Sequence, residues 1–252
     1  MLLNDNERLD VVNDDLRLIQ NKEGLTFGTD ALLLAGYAST RAKRALELGA
    51  GTGIISMLIL SRAKAERVTA VEIQDEYARL IERNAELNSL SDSLTVECGD
   101  IRDLSSNGEY DLVFTNPPYM RTDTGRINAS DKKAIARHEV FGGIGDFTKA
   151  GARALKFGGT FLAVYRTDRL IDLTDAMRKS GIEPKRMTFV HADKESEPSM
   201  VLVEGRRGGK AGLKVTRPLF IYKTKDHADY TDDMNYIMDT GYFGKEFDIR
   251  NG

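Results

Sequence analysis

Ala45-Leu46-Glu47-Leu48-Gly49-Ala50-Gly51-Thr52-Gly53 is the stretch whose reading decides the fold. A short, mostly apolar strand runs into three alternating glycines, and a helical pattern over 54–62 follows at once. In a parallel sheet such a turn lies at the carboxyl end of its strand, where α/β proteins bind ligands. Glycine lets the backbone pass close to a ligand and accept positive φ. The spacing is G-x-G-x-G. The dinucleotide fingerprint G-x-G-x-x-G needs a glycine where Ile54 stands, so nicotinamide and flavin cofactors are disfavoured. Taken alone, the glycines are also compatible with a structural turn.

The strand at 67–72 ends in Val71-Glu72-Ile73, placing Glu72 beside the glycine turn at the tip of the neighbouring strand. A carboxylate there can accept both ribose hydroxyls of a nucleoside, each charge-assisted bond contributing ~1.5–3 kcal/mol. A third strand, 94–97, leads to Gly99-Asp100-Ile101. Asp100 offers either a second ligand-facing carboxylate or a helix cap, and Ile101 an apolar face for an adenine ring. Farther out, helices at 75–88, 147–155 and 170–180 alternate with strands at 112–115 and 160–165, and a polar loop spans 119–145. The end reads as strands alone, at 187–191, 200–203 and 213–222. Ahead of the turn, residues 8–20 read as a strand pair and 31–37 as a short helix capped by Thr29 or Asp30.

The 252 residues are 41% hydrophobic and 30% charged, which excludes wholesale disorder. No apolar run approaches the ~20 residues of a membrane-spanning helix. The first residues lack a basic segment followed by an apolar one, so no secretory signal is expected. Cys98 is the only cysteine, which excludes an intrachain disulfide and a cysteine-based zinc site. A cytoplasmic protein without a membrane partner is expected. The net charge of −3 is unevenly spread: residues 1–30 carry −4, residues 205–225 carry +7 and residues 226–252 carry −5. The basic block reads either as a strip for a nucleic-acid backbone or as a solvated edge hairpin.

The strand at 112–115 ends in Asn116-Pro117-Pro118-Tyr119. The prolines lack N–H donors and fix φ, so the strand stops and its carbonyls are held rigidly. Such a tip can hold a planar NH2 group. The Asn116 side-chain oxygen and the Pro117 carbonyl each accept one N–H, and Tyr119 stacks on the attached π-system. Two acceptors aimed at those hydrogens favour a pyramidal, nucleophilic nitrogen and stabilise the positive charge that develops on it. Neither a metal nor a prior general base is implied. The competing explanation is a proline turn beside a buried tyrosine.

These residues together resemble the class I S-adenosylmethionine-dependent methyltransferases over residues 26–165. Glu47 with Gly49, Gly51 and Gly53 resembles that family's first motif, Glu72 with Ile73 its ribose acid, and Asp100 with Ile101 its adenine contact. The tetrad at 116–119 resembles that of enzymes methylating adenine N6, cytosine N4 or protein glutamine, with Asn116, Pro117 and Tyr119 at the reacting amine. The whole chain resembles the bacterial tRNA valine adenine-N6 methyltransferase family of the small-domain superfamily, through the short hairpin start, Phe27–Leu34, Asn116–Tyr119, Arg137-His138-Glu139 and the glycine-rich basic turn at 205–213.

That resemblance implies S-adenosylmethionine as cofactor, S-adenosylhomocysteine as product, no metal, and an RNA substrate, specifically a tRNA adenine. It implies that Thr29 and Asp30 lie at the methionine end of the cofactor, although capping a helix accounts for them as well. Arg137, His138, Arg206, Arg207 and Lys210 are expected to meet the RNA, and a monomer is expected. The expected fold is α/β: a Rossmann-like, doubly wound, mostly parallel seven-stranded sheet with an antiparallel C-terminal edge hairpin. One domain is expected over 1–252, composed of a hairpin and short helix (1–40), a catalytic core (41–205), and a basic hairpin with an acidic tail (206–252). The alternatives are a protein-glutamine N5 methyltransferase, an rRNA guanine N2 methyltransferase, and a cofactor-binding RNA-binding module without turnover. Glutamine methyltransferases carry a sizeable helical N-terminal domain, whereas about 40 residues precede Arg44 here. The guanine-directed tetrad usually ends in Phe, and a module without turnover should have lost Asn116 or the glycine turn.

Overall fold

A computed structural model describes residues 3–23, 28–39, 41–118 and 142–248. The chain opens with a hairpin, β1 (Glu7–Val11) and β2 (Arg17–Asn21), followed by α1 (Thr29–Tyr37). Alternation then sets in: β3 (Ala42–Leu48), α2 (Ile54–Ser61), β4 (Ala65–Glu72), α3 (Asp75–Leu87), β5 (Leu94–Cys98) and β6 (Tyr110–Thr115). Beyond residue 142 come α4 (Ile144–Ala154), β7 (Leu155–Arg166), α5 (Leu170–Lys179), β8 (Ile182–His191) and β9 (Pro198–Arg207). The short strands β10 (Lys214–Val215) and β11 (Leu219–Phe220) and the helix α6 (Asp232–Thr240) follow.

Among the described residues nine strands form the main sheet, in the order β10-β8-β9-β7-β6-β3-β4-β5, with β11 also on β8. The two strands beyond the expected seven are the separate two-residue pieces β10 and β11, and β9 is an interior strand. It lies antiparallel between β7 and β8, both of which run with the parallel set. The antiparallel hairpin is therefore β8–β9. The segment expected as a strand over 213–222 instead pairs parallel with β8 at two short stretches, and the antiparallel pairing beyond it is an isolated bridge between Tyr222 and Tyr230.

Apolar residues alternate between the faces because both are buried. Leu112, Phe114, Leu162, Val164 and Leu202 join the core beneath α1, α2 and α6. Val113, Phe161, Ala163, Val201 and Val203 join the one beneath α4 and α5. The first hairpin docks on α3 through two asparagines that imitate a neighbouring strand. Asn84 accepts from Ile19 N at 2.7 Å and donates to Ile19 O at 3.0 Å. Asn88 does the same with Arg17, at 2.9 and 2.7 Å.

The end of the chain is not built of strands alone, as the sequence reads, because the helix α6 covers the far end of α1. Its start is written in the sequence: Thr231 accepts from Met234 N, Asp232 and Asp233 fill the first turn, and Gly241 ends the helix at φ 73°. Phe243 meets Tyr37 edge-on at 5.2 Å, and both Ile237 and Phe243 press where a Cβ on Gly36 would stand. Buried Lys64 donates to the carbonyls of Ala35, Gly36 and Ala38, closing the carboxyl end of α1. Buried Arg186 pairs with Glu204 at 2.7 Å and donates to Tyr37 O and Phe247 O. Among the described residues no helix is long and apolar enough to cross a membrane.

Candidate active site

β3, β4, β5 and β6 all end at one rim, and their following turns enclose a cavity of about 510 Å³. The glycine turn forms its floor. Gly49 and Ala50 donate to Val71 O at 2.9 and 3.0 Å, folding the turn across the tip of β4. Gly53 begins α2 at φ 76°, and a Cβ there would stand 2.8 Å from Ile81. Any side chain at 53 would thus strain the backbone and push α3 away. Of the first motif, Glu47, Gly49 and Gly51 line the cavity and Gly53 does not. Gly53 sets the helix that backs the turn.

Glu72 is 4% exposed, and its carboxylate is fixed by main-chain donors. Gly51 N donates to Oε2 at 2.8 Å and Gln74 N to Oε1 at 2.9 Å. Gln74 Nε2 also reaches Oε1, at 3.5 Å, so Oε2 is the oxygen that keeps a lone pair: the acid is locked in place yet still able to accept. Ile73 lies beside it on the cavity wall. Asp100 proves to be both a lining residue and a cap: its Oδ1 accepts from Arg102 N at 2.8 Å at the head of the 3-10 turn Ile101–Asp103. Hydrogen bonding to Arg102 holds the Asp100 carboxyl below the usual carboxylate range. Ile101 lines the cavity as expected.

Glu47 is 1% exposed. Its Oε2 accepts from both Ser56 N, at 3.1 Å, and the Ser56 hydroxyl, while Oε1 finds no partner among the described residues. Burial pushes this carboxyl up to about 8; the Ser56 bonds oppose the rise, and nearby Glu72 adds to it. A buried, half-satisfied acid on the wall of a cavity calls for a donor or cation from within it.

The fourth strand delivers Asn116 and Pro118 to the same cavity, with Pro117 buried behind them. Buried Thr115 donates to Leu48 O at 2.8 Å, tying the tip of β6 to that of β3. From α1, Asp30 lines the cavity and accepts from Asn116 Nδ2 at 2.7 Å. Gly28, rather than Thr29 or Asp30, occupies the cap position of α1, and Thr29 does not reach the cavity. Tyr119, Arg137 and His138 lie outside the described residues.

A family model described as the methyltransferase small domain matches residues 21–179. The chain belongs to this family. Among its relatives is the tRNA1(Val) (adenine(37)-N6)-methyltransferase of Phocaeicola vulgatus, 31% identical over 177 residues, spanning 70% of this chain and 74% of the relative. The protein of the same name from Porphyromonas gingivalis is 27% identical over 231 residues, spanning 87% of this chain and 84% of the relative. Of solved structures, a predicted O-methyltransferase from Agrobacterium tumefaciens superposes with a TM-score of 0.70 at 24% identity, spanning 85% of this chain and 98% of that one. M. jannaschii TYW2, solved in complex with AdoMet, superposes with a TM-score of 0.57 at 14% identity, spanning 82% and 89%. These structures share the fold.

Several lining residues of this small-domain methyltransferase escape a reading of motifs: Ala50, Thr52, Gln74, Tyr77 and Phe147. Ala50, Thr52 and Gln74 adjoin motif residues and follow from them by adjacency. Tyr77 and Phe147 read as the apolar faces of their helices, with no signal that they front a cavity. The basic residues stand elsewhere. Arg206 is level with Thr160, Leu112 and Ala45, about 13 Å down the strand direction from Gly49, and the chain runs on away from the rim. Arg206 donates to Gly158 O at 3.1 Å, Arg207 to Leu155 O, and Lys210 is exposed. The structure does not bring these three to the cavity. Arg217, Lys223 and Lys225 pair with Asp233, Asp232 and Glu195. Among the described residues no cluster of side chains could hold a metal ion.

Proposed function

We propose that this chain is an S-adenosylmethionine-dependent methyltransferase acting on the exocyclic N6 amine of an adenine in tRNA. The observation that carries this reading is the convergence of the glycine turn, Glu72 and Asp100 with the Asn116 tip in one cavity. The names of the relatives, at 27–31% identity, supply the substrate class. The residues fit the cofactor. Glu72 stands ready for the ribose hydroxyls, Ile73 and Ile101 for the faces of the adenine, and the unpartnered Glu47 Oε1 for the positive end of the methionine moiety.

When bound, the cofactor supplies a methyl group on an electron-poor sulfonium. The chain's own work is to present the nitrogen. The Asn116 amide oxygen and the Pro117 carbonyl accept the two N–H bonds of the amine, favouring a lone pair that faces the methyl group and stabilising the charge that builds on nitrogen. In this reading the Tyr119 ring stacks on the base. Tyr119→Phe should then keep most activity, whereas Tyr119→Ala should lose ~1–3 kcal/mol of base binding.

The test is direct. The protein is incubated with labelled S-adenosylmethionine and, separately, total tRNA, total rRNA and release factors, and the modified nucleoside or residue is identified. N6-methyladenosine in tRNA is expected. Label in guanine or in protein glutamine would overturn the choice of acceptor.

A further inference from the structure

Asp30 and Asn116 lie 86 residues apart in sequence, on different elements, yet the Asn116 amide nitrogen donates to Asp30 Oδ2 at 2.7 Å on the wall of the cavity. An amide group has two chemically opposite ends, and the groups it bonds decide which end faces the acceptor. An ionised carboxylate decides this, since it can only accept hydrogen bonds. Turned the other way, the Asn116 oxygen would lie against a carboxylate oxygen at hydrogen-bonding distance, a repulsive arrangement.

We propose that Asp30 is a positioning residue for Asn116: its carboxylate takes the amide nitrogen and so commits the amide oxygen to the acceptor amine. The inference rests on the reading of Asn116 given above, and it gives Asp30 a task other than holding the cofactor.

Two neighbours hold Asp30 for this task. Its Oδ1 accepts from Ala31 N at 3.0 Å, anchoring the carboxylate to the first turn of α1. A Cβ on Gly28 would stand 2.7 Å from that same Oδ1. Gly28 is thus the space in which the carboxylate sits, and Gly28→Ala should displace it without touching Asn116 directly. With Lys64 closing the other end of the helix, α1 carries its acid to the rim as a pinned rod.

The experiment separates positioning from charge. Asp30→Asn removes the charge and leaves a single oxygen where Ala31 N and Asn116 Nδ2 now use two, so it cannot keep both bonds; Asp30→Leu removes both acceptors. We expect turnover at saturating substrates to fall ~30–100-fold in Asp30→Leu, a share of the 10²–10³ assigned to one preorganised group. Asp30→Asn should also lose turnover, though less than Asp30→Leu, because its amide can no longer accept at both positions. In both variants the dissociation constant of S-adenosylhomocysteine, read by calorimetry, should move less than about threefold. Combined with Asn116→Ala, Asp30→Leu should cost nothing further, since the amide it orients is gone. The Asn116 side-chain NH2 signals in a 1H–15N spectrum should shift in Asp30→Leu, Gly28→Ala and Asp30→Asn alike.

The proposal is overturned if Asp30→Leu turns over at the wild-type rate. It is equally overturned if Asp30→Asn and Asp30→Leu lose S-adenosylhomocysteine affinity in parallel, which would make Asp30 a charged partner of the cofactor. Should the wild-type protein methylate no RNA, the reading of the reaction fails. The amide spectrum, which needs no turnover, would still show whether Asp30 holds Asn116.

Discussion

At the carboxyl ends of its parallel strands this chain buries acids around a cavity, and at their amino ends it exposes cations on a flat turn. Glu47 and Glu72 are 1% and 4% exposed and enclosed by backbone donors, glycines and proline. Lys210 stands in solvent, and Phe157, packed against Gly208, is 84% exposed. The difference teaches where chemistry and where recognition can reside. Enclosure makes each hydrogen bond strong and each misplaced atom costly. An exposed cation is screened within about 8–10 Å and contributes only to loose, salt-dependent attachment.

The sharpest break in this comparison would come from Asn116. Asn116→Ala should cost ~10²–10³ in turnover, as removal of one preorganised charge-stabilising group does, with S-adenosylhomocysteine affinity nearly unchanged. Wild-type methylation by this variant would move the acceptor away from the tip of β6. Next comes the ribose acid. Glu72→Ala should weaken S-adenosylhomocysteine binding by ~2–4 kcal/mol, since two bonds to a charged acceptor disappear; calorimetry showing unchanged affinity would remove Glu72 from the cofactor.

Glu47 makes a pH prediction. Its carboxyl is raised by burial to about 8 from an ordinary 4.5. Between those values the folded chain holds a proton that the unfolded chain has released. Its contribution to stability is therefore present at low pH and lost as pH rises toward 8. An ammonium ligand needs the ionised form, so S-adenosylhomocysteine should bind more weakly below pH 8, by up to about tenfold per pH unit. Glu47→Gln should flatten both profiles; a wild-type pH dependence in that variant would exclude Glu47 as the source. The smallest effect is expected at the amino end. Neutralising Arg206 and Lys210 should leave turnover and cofactor affinity alone. It should reduce the salt slope of RNA binding by ~0.7 for each phosphate no longer neutralised, if that RNA is single-stranded. An unchanged slope would make this end scaffold only.

What the sequence made legible follows from locality. The alternation from β3 to β7 could be read because each strand, buried on both faces, shows as a short apolar run between helical patterns. Glu47, Glu72, Asp100 and Asn116 were legible because each directly follows or ends such a run, where the topology gathers strand tips. The position of β9 was not, since its pairing with β7 across about 40 residues leaves no mark on either strand alone. Nor was the placement of Arg206 and Arg207, which depends on that strand's reversed direction. Tyr77 and Phe147 face a cavity in the same residue types that would face a core. The bond from Asn116 to Asp30 joins two motifs that each had a sufficient local explanation, one as a strand tip and the other as a helix cap.

The cover over α1 bears on how the chain is made. The helix that brings Asp30 to the rim is synthesised early, yet Ile237, Phe243 and Phe247, which seal its far end directly and through Arg186, follow about 200 residues later. At ordinary elongation rates that interval is roughly 10–40 s. Throughout it, the apolar back of α1 must wait uncovered beside a half-built sheet, open to chaperones and to neighbouring nascent chains. A shortened product ending before residue 234 would carry every motif residue of the cavity and still lack the surface that holds its first helix, so premature termination should yield an insoluble chain rather than a weak enzyme.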